Sequence, residues 1–258
     1  MSARGSADWT PGEMLAVAAA AKIHDGDIAV VGLGLPQVAA QLAQRTHAPT
    51  LRMLLELGVF EPRPTGPSMG IADPRMWEGA SVFGGVLDVL GAMLQGGRVT
   101  LGILSAVQVD PFGSLNTTQI EREDGTIRRI NGSGGGNDIA SLSGRILVVM
   151  KHEPRRFRSC LDFLTSPGRS VEGRGRGELG LQGKGPVAVV TDRAVLGISD
   201  EGAVLESAHP GENVEEVLAD TPFPLRLPEG GPAVTPGPTE VDLALIRSEI
   251  DPLRWYTS

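Results

Sequence analysis

Residues 27–58 read DIAVVGLGLPQVAAQLAQRTHAPTLRMLLELG and combine two apolar runs with a helical segment between them. Ile28 to Val31 is a continuous apolar run of the kind found in strands that are buried on both faces. PQVAAQLAQRTH, residues 36–47, has helical spacing, and Leu51 to Leu55, which is apolar apart from Arg52, is predicted to be a second buried strand. Strands that alternate with helices predict an α/β fold, a single domain with a largely parallel open sheet flanked by helices.

The alternation continues on both sides of this stretch. Thr10, Pro11 and Glu13 predict a capped start for a helix over residues 12–23. The further predicted elements are a loop from Glu61 to Pro74, a helix from Val86 to Gln95, a strand from Val99 to Leu104, a turn at 109–113, strands at Arg145–Met150 and Val187–Val190, a hairpin turn at Asp192-Arg193, and a closing helix over 241–250. We expect one domain over 1–258, with residues 1–9 flexible, 221–238 a proline-rich surface segment and 239–252 the closing helix.

The composition argues against several classes of function. The chain has 258 residues, of which 21% are charged, and a net charge of −8. This balance disfavours a nucleic-acid partner, because no broad basic face can neutralise a phosphate backbone. No apolar run is long enough to span a bilayer, and the first residues lack the apolar core of a secretory signal. We therefore expect a soluble, cytoplasmic protein with no membrane partner.

The cysteine and histidine content offers no metal site. The single cysteine, Cys160, excludes an intramolecular disulfide and a thiolate cluster. It lies between Phe157 and Leu161, so we predict a small buried hydrophobe rather than a nucleophile. The four histidines are scattered without metal-ligand spacing.

Basic residues form two local clusters, namely Arg155, Arg156 and Arg158, and then Arg169, Arg174 and Arg176. Such clusters usually form a solvated face. A local site for an anionic ligand is the alternative, and the sequence leaves it open.

Gly32, Leu33 and Gly34 follow the first strand and precede a helix, as in a dinucleotide-binding turn. The rest of the GxGxxG pattern is absent, since Pro36 and Gln37 follow, and no acidic residue stands at the required distance. Two glycines at a strand end more simply allow a close approach of the backbone. Binding of another phosphate or of a thioester group at this turn stays open.

Glu56 ends the second apolar run, and Gly58 would let the chain turn sharply beyond it. In open α/β sheets, ligands bind at the carboxyl ends of the strands. A carboxylate is costly to bury beside Leu54 and Leu55 unless it is paired or used. From these residues alone, Glu56 is either a capping or salt-bridged glutamate or a functional group.

Residues 131–138 read NGSGGGND, with four glycines in five positions. Such a loop can direct several backbone N–H groups at one oxygen, as in an anion nest or an oxyanion hole. A flexible surface loop is the alternative. Because Ile130 and Ile139 bound the loop and a strand begins at Arg145, we expect it at the edge of the core and favour a functional role.

Several segments taken together resemble a known family. They are VGLGLP at 31–36, LLELG at 54–58, VQVDPFGSLNTT at 107–118, GSGGGNDIA at 132–140, VMKHEPRRF at 149–157, FLTSPG at 163–168, VVTDRAVLGI at 189–198 and IRSEIDP at 246–252. In this order and spacing they resemble the B subunits of glutaconate-type CoA transferases, the dicarboxylate branch of the family I CoA transferases. The resemblance runs from near residue 10 to residue 252.

The resemblance implies a covalent mechanism. In that family a glutamate in a Glu-x-Gly element attacks the acyl-CoA thioester, and Glu56 with Gly58 matches this element. A Gly-x-Gly-Gly element followed by Ala or Phe supplies backbone amides to the oxyanion, and Gly132, Gly134 and Gly135 match it. The implied reaction is a ping-pong transfer through a glutamyl-CoA thioester at Glu56, with CoA as a substrate and with no bound cofactor or metal.

The resemblance also implies contacts with CoA or the acid substrate at Gly32, Gly34, Gly58, Gly136 and Asn137. Two positions depart from the family pattern, because Gly136 stands where relatives carry Ala or Phe and Leu57 where they more often carry a polar residue. These departures leave open which acid is used and which reaction is catalysed.

The implied partner is a homologous A subunit in a hetero-oligomer, α2β2 or a multiple of it, and the implied acid is a dicarboxylate such as glutaconate. The main alternative is a CoA-thioester hydrolase or decarboxylase on the same fold, although relatives of that kind replace the glutamate. A nicotinamide enzyme would rest on Gly32-Leu33-Gly34 alone. A non-catalytic partner subunit is the third alternative.

Overall fold

The apolar runs form the centre of a ten-stranded sheet in the computed structural model, which describes residues 8–66, 68, 70 and 72–258. The strands, numbered in chain order, are β1 Ile28–Val31, β2 Arg52–Leu55, β3 Val59–Phe60, β4 Val82–Phe83, β5 Leu101–Leu104, β6 Gln108–Val109, β7 Leu115–Asn116, β8 Gln119–Glu121, β9 Ile127–Arg129, β10 Arg145–Val149, β11 Ser170–Val171, β12 Arg174–Gly175, β13 Pro186–Val190, β14 Ala194–Ser199, β15 Gly202–Ala208 and β16 Ala233–Val234. The α-helices are α1 Pro11–Ala20, α2 Leu35–Arg45, α3 Gly136–Leu142, α4 Val214–Ala219 and α5 Glu240–Leu245, with π-helical segments at Leu87–Gln95 and Ile246–Ile250 and 3-10 turns at Pro74–Trp77 and Pro154–Arg156.

The strand order is β16-β15-β14-β13-β10-β5-β1-β2-β3-β4. The central strands β13, β10, β5, β1 and β2 run parallel. β3 and β4 continue antiparallel beside β2, and β14 and β15 continue antiparallel beside β13. The predicted α/β fold is confirmed, and so is the hairpin at Asp192-Arg193, which joins β13 to β14.

Side chains from each central strand pack on both faces of the sheet. Val31 belongs to a cluster that includes Leu15 of α1, whereas Val30 belongs to a second cluster with Leu94 and Phe157. All of these side chains are buried. Successive residues of a strand point to opposite faces, so a strand covered on both faces needs a continuous apolar run.

The predicted start of the first helix is confirmed. Thr10 Oγ1 accepts a hydrogen bond from the Glu13 N–H at 3.1 Å, and the Glu13 carboxylate accepts one from the Thr10 N–H at 2.8 Å. Glu13 is buried and also binds Arg247 at 2.6 Å, which ties α1 to the closing helix. Burial opposes ionisation here, but the hydrogen bonds from Arg247 and Thr10 hold the pKa of Glu13 below its ordinary value.

Some elements differ from those predicted. The helix expected from Val86 is π-helical, and the closing helix changes from α to π geometry at Ile246. The expected turn at 109–113 lies within a hairpin of β6 and β7, and β8 and β9 form another hairpin; the sequence revealed neither. Strands of two or three residues are too short to show a period of two.

The segment 221–238 does not lie wholly on the surface. Phe223 is 6% exposed, and β16 extends the sheet beside β15. Of the loop predicted from Glu61 to Pro74, residues 67, 69 and 71 lie outside the described residues, as do residues 1–7 of the N-terminal segment. In the described part of the chain, no helix has both the length and the apolar character needed to cross a membrane.

Candidate active site

Glu56 stands in the turn between β2 and β3. Gly58 closes this turn by donating its N–H to the Leu55 carbonyl at 2.9 Å, and its φ angle is +106°. A methyl group at Gly58 would lie 2.5 Å from the carbonyl carbon of Gly84. The N–H of Gly84 donates to the Gly58 carbonyl at 2.7 Å. Only glycine fits both the angle and the close approach of the backbone before β4. The turn therefore fixes a half-buried Glu56 at the carboxyl end of β2.

The glycine loop is anchored at its first glycine. Gly132 has a φ angle of +88°, and its N–H donates to the Thr117 carbonyl at 2.9 Å. The Thr117 hydroxyl donates in return to the Gly132 carbonyl at 2.8 Å. This pair of hydrogen bonds fixes where the loop leaves Asn131 and approaches α3.

The loop meets Glu56 at its later glycines. The N–H of Gly135 donates to Oε2 of Glu56 at 3.3 Å. A methyl group at Gly135 would lie 2.8 Å from Oε2, and one at Gly134 would lie 3.7 Å from Oε1. The structure thus brings Glu56, Gly134 and Gly135 together, while Gly132 serves as the anchor on Thr117.

The surroundings of Glu56 leave its carboxylate available. Among the residues that the structure describes, no lysine, arginine or histidine is within salt-bridge distance of it, and its side chain accepts one hydrogen bond, from Gly135. The salt-bridged role that the sequence left open therefore has no support here. A carboxylate held by a neutral backbone donor keeps free lone pairs for attack on an electrophile.

Gly136 and Asn137 lie beyond this contact. The Asn137 side chain donates to the Thr165 carbonyl at 2.8 Å, and its N–H donates to the Ser133 hydroxyl at 3.2 Å. A methyl group at Gly136 would lie an ordinary 3.6 Å from Ser166 Oγ. An alanine would fit at Gly136, so the departure from the family pattern at this position changes little in the local packing.

Gly32 and Gly34 follow β1, which pairs in parallel with β2, so they lie at the same edge of the sheet as Glu56. The N–H of Gly32 donates to the Ile103 carbonyl at 2.9 Å, and a methyl group there would lie 2.9 Å from the same oxygen. Gly32 thus permits a close approach to β5. Gly34 lines a cavity of about 390 Å³, together with Asn131 from the start of the glycine loop. We call this cavity the small cavity.

The first arginine cluster lines a larger cavity of about 810 Å³, between the β8–β9 hairpin and residues 155–162. We call it the arginine cavity. Arg155 and Arg156 both bind Glu153, at 2.6 and 3.2 Å, and Arg158 binds Asp162 at 3.2 Å. Burial acts to raise the pKa of Glu153. The hydrogen bonds from Arg155 and Arg156 outweigh burial and hold that pKa below its ordinary value.

The second arginine cluster is dispersed. Arg169 binds Asp200 at 2.8 Å, and Arg174 is exposed. Arg176 is 8% exposed and donates to the carbonyls of Gly168 and Ala140 at 3.0 and 2.9 Å. Burial is the main cause that lowers the pKa of Arg176, and the charge of Arg169 lowers it as well. Arg176 is therefore a structural residue and not part of a solvated face.

Cys160 is exposed, so the prediction that it is buried is wrong. Phe157 takes the core position instead, with 1% exposure, and stacks edge-on against Phe223. The chain then turns outward, which places the cysteine at the surface.

The buried histidines are bound by threonines. His152 Nδ1 lies 3.0 Å from the Thr191 hydroxyl, and Nε2 lies 3.1 Å from the Thr221 hydroxyl. Burial, and then the charge of Arg193, lower the pKa of His152 to about 4. Within the described residues, no group of three His, Cys, Asp or Glu side chains could hold a metal ion.

Comparison with known proteins identifies the family. Residues 12–220 match the profile of the family described as Coenzyme A transferase. This chain belongs to the coenzyme A transferase family.

Relatives within the coenzyme A transferases cover nearly the whole chain. The chain is 36% identical to the B subunit of 3-oxoadipate CoA-transferase of Pseudomonas knackmussii over 93% of both proteins. It is 33% identical to the B subunit of glutaconate CoA-transferase of Acidaminococcus fermentans, over 95% of this chain and 94% of that protein. The solved structure of the Acidaminococcus fermentans enzyme superposes with a TM-score of 0.87 at 31% identity, covering 97% of this chain and 98% of that one. The decarboxylase AibA/AibB shares the fold, with a TM-score of 0.82 at 24% identity over 96% and 98% of the two chains.

The sequence did not single out every residue beside the site of this coenzyme A transferase chain. Trp255 and Tyr256 line the small cavity, and Tyr256 lies 3.4 Å from where a methyl group at Gly34 would stand. Asp251 directs them by accepting hydrogen bonds from both of their N–H groups at 2.9 Å. The adjacent aromatic pair near the last residues was the available signal, in a chain with only 4% aromatic residues.

Proposed function

We propose that this chain is the B subunit of a two-subunit CoA transferase and that Glu56 is its nucleophile. The observation that carries the proposal is the 3.3 Å contact between the Gly135 N–H and Oε2 of Glu56. Family membership supplies the substrate class, because CoA transferases act on CoA thioesters. The contact supplies a place where a carboxylate and an oxyanion donor meet.

The proposed reaction begins with attack by a Glu56 oxygen on the carbonyl carbon of the donor thioester. The C–S bond then breaks, CoA leaves as a thiolate, and Glu56 holds the acyl group as a mixed anhydride. The thiolate next attacks Cδ of Glu56, the bond between the glutamyl carbonyl carbon and the bridging oxygen breaks, and the donor acid leaves as a carboxylate. Glu56 now carries CoA as a thioester, and an acceptor carboxylate regains it by the reverse sequence.

The geometry suggests which step Gly135 assists. When the thiolate attacks Cδ, negative charge develops on the Glu56 oxygen that is not bonded to the acyl group. The Gly135 N–H already contacts Oε2 in the free protein, so it is placed to stabilise that oxyanion. A single donor of this kind is worth about 3 kcal/mol in the transition state. Gly134 lies beside Oε1, since a methyl group there would be 3.7 Å from that oxygen, and we propose its N–H as the donor to the oxyanion of the first attack.

We propose a dicarboxylic acid as the substrate. Two relatives that match almost the whole chain are named for glutaconate and 3-oxoadipate, and both of these are dicarboxylates. Arg156 lines the small cavity beside the glycine loop and is the candidate contact for a second carboxylate.

We propose that an A subunit covers the edge of the sheet next to Glu56. The two relatives are each named as the B subunit of their enzyme. On this chain, Leu57, Phe83 and Leu87 are 41%, 66% and 79% exposed, around the turn that holds Glu56. β4 is the terminal strand of the sheet, and an exposed apolar edge of this kind is costly unless a partner covers it. Such a cover would also exclude water from the thioester intermediate.

The proposal is tested with this chain co-expressed with the product of its neighbouring gene, the candidate A subunit. Transfer of CoA to glutaconate, 3-oxoadipate and butyrate is measured for the wild type and for Glu56→Gln. We expect transfer to the dicarboxylates and a loss of several orders of magnitude in the variant. Hydrolysis or decarboxylation of the CoA ester without transfer would instead establish the alternative reaction.

A further inference from the structure

The arginine cavity contains two arginines outside the clusters that the sequence showed. Arg122 and Arg128 line it from the β8–β9 hairpin. In contrast to Arg155, Arg156 and Arg158, neither has a hydrogen-bond or salt-bridge partner for its side chain among the described residues. Two free guanidinium groups therefore face a cavity of about 810 Å³.

The register of the hairpin places these arginines on one face. Arg128 lies opposite Ile120 in the hairpin. Arg122 follows Ile120 by two residues along the chain. Side chains that are two residues apart on a strand share a face, so Arg122 and Arg128 are diagonal neighbours about 7–8 Å apart. Two like charges at this spacing repel each other, and an anion bound between them would offset that repulsion.

Four carboxylates line the cavity, namely Glu121, Glu123, Asp124 and Asp162, and within the described residues none of them forms a salt bridge or a side-chain hydrogen bond with Arg122 or Arg128. Asp162 already accepts hydrogen bonds from the Gln108 side chain and the Glu121 N–H, at 2.7 and 3.1 Å. Asp124 accepts from the N–H and the hydroxyl of Thr126, at 2.9 and 2.6 Å, and so closes the hairpin turn. Glu121 alternates with Arg122 along the strand, so its Cβ points to the other face of the hairpin.

The arginine cavity adjoins the small cavity, which in turn reaches the start of the glycine loop. It shares Val107, Ile130 and Arg156 with the small cavity, and the small cavity reaches Asn131, directly before Gly132. From Arg128 to Gly135 the chain can span at most about 25 Å. A ligand with its reacting carbonyl at Glu56 and its anionic groups on a long flexible arm could therefore reach both places.

We propose that Arg122 and Arg128 bind the phosphate groups at the nucleotide end of CoA. This inference rests on the proposed function, because it takes CoA as the ligand whose thioester lies at Glu56. Arginine suits the role, since its planar fork donates two hydrogen bonds to one phosphate and keeps its charge at every physiological pH. A single distal carboxylate would leave most of the cavity empty, whereas a nucleotide with its phosphates fits a cavity of about 810 Å³.

The hairpin also supplies the matched control. Arg129 is adjacent to Arg128 and is also exposed, but it pairs with Gln119 and points to the opposite face. Arg129→Ala therefore removes the same charge one residue away without touching the cavity.

The experiment measures calorimetric dissociation constants of the two-subunit complex for CoA, 3′-dephospho-CoA and pantetheine. We expect Arg122→Ala and Arg128→Ala each to raise the constant for CoA about tenfold, as for loss of a charge-assisted hydrogen bond. The constant for pantetheine should not change, and Arg129→Ala should bind CoA as the wild type does. Because binding needs no turnover, this outcome is independent of whether Glu56 is the nucleophile.

Three results would overturn the inference. An equal loss in Arg129→Ala would mean that only the general charge of the hairpin matters. An increase in the KM for the acid substrate, with CoA binding unchanged, would assign the arginines to a substrate carboxylate. Loss of the A subunit on purification of Arg122→Ala or Arg128→Ala would assign the cavity to the subunit interface.

Discussion

The Gly135 N–H and Oε2 of Glu56 are 3.3 Å apart although 79 positions separate the two residues in the chain. The carboxylate belongs to the turn after β2, and the N–H belongs to the loop that leads into α3. Each side of the contact therefore depends on a backbone shape that glycine allows, and this makes the contact sensitive to single methyl groups.

Gly135→Ala should separate activity from folding. Gly135 has a φ angle of −78°, which alanine adopts freely, but its methyl group would lie 2.8 Å from Oε2 and would push the Glu56 carboxylate aside. We expect kcat to fall about a hundredfold, as for loss of an oxyanion donor, with little change in Tm. Gly136→Ala is the control, because its methyl group meets Ser166 Oγ at an ordinary 3.6 Å. Equal activity in the two variants would show that the position of the carboxylate does not matter.

Gly58→Ala should lower stability more than a glycine substitution at an open turn. Gly58 combines a φ angle of +106° with a backbone atom of Gly84 at 2.5 Å from the added methyl group. Gly26 has a similar φ angle of +81° but open space around it, so Gly26→Ala should cost only the 1–2 kcal/mol or so of the left-handed conformation. Thermal unfolding of the complex would measure both. A decrease in Tm for Gly58→Ala no larger than for Gly26→Ala would contradict the close approach.

The stability of the protein should fall on acidification in a range set by His152. Burial, followed by the charge of Arg193, lowers the pKa of His152 from 6.5 to about 4. Between these values the unfolded chain binds a proton that the folded chain does not. The contribution of neutral His152 to the free energy of unfolding is thus complete above about pH 6.5 and is lost as the pH falls to 4. This loss of stability amounts to about 3 kcal/mol.

Urea unfolding of the wild type and of His152→Gln at pH 7 and pH 4.5 would test this contribution. Glutamine can still hydrogen-bond to Thr191 and Thr221 but cannot take up a proton. We expect a smaller loss of stability in the variant over this interval. The same loss in both proteins would show that other groups cause the acid sensitivity.

Phe83→Ser should weaken assembly with the A subunit. Phe83 is 66% exposed on the edge strand β4, near the turn that holds Glu56. Val234→Ser is the matched control, because Val234 is 72% exposed on β16 at the opposite edge of the sheet. Co-purification of a tagged A subunit measures the effect. If Val234→Ser loses the partner and Phe83→Ser keeps it, the partner covers the other edge.

The sequence predicted those features that continuous apolar runs and turn chemistry encode. The central strands and the capping box at Thr10 and Glu13 follow from local patterns, as does the hairpin at Asp192-Arg193. The nucleophile assignment rested on a resemblance, since no local pattern shows that Glu56 meets a loop 79 positions away.

Other features could not be predicted, and the physical reason can be named in each case. β6 to β9 are too short for periodicity, and the burial of Cys160 was misjudged because Phe157 takes the core position. The shared face of Arg122 and Arg128 depends on hairpin register, which two strands of three residues do not specify.

The central claim is that Glu56 carries CoA as a thioester during transfer. The most direct measurement is peptide mass spectrometry of the two-subunit complex after incubation with an acyl-CoA and reduction with borohydride. We predict that the reduced residue, an alcohol in place of the carboxylate, is found at Glu56 of this chain, in step with the loss of transfer activity. Inactivation with the modification at another residue, or continued transfer by a complex in which Glu56 is reduced, would contradict the claim.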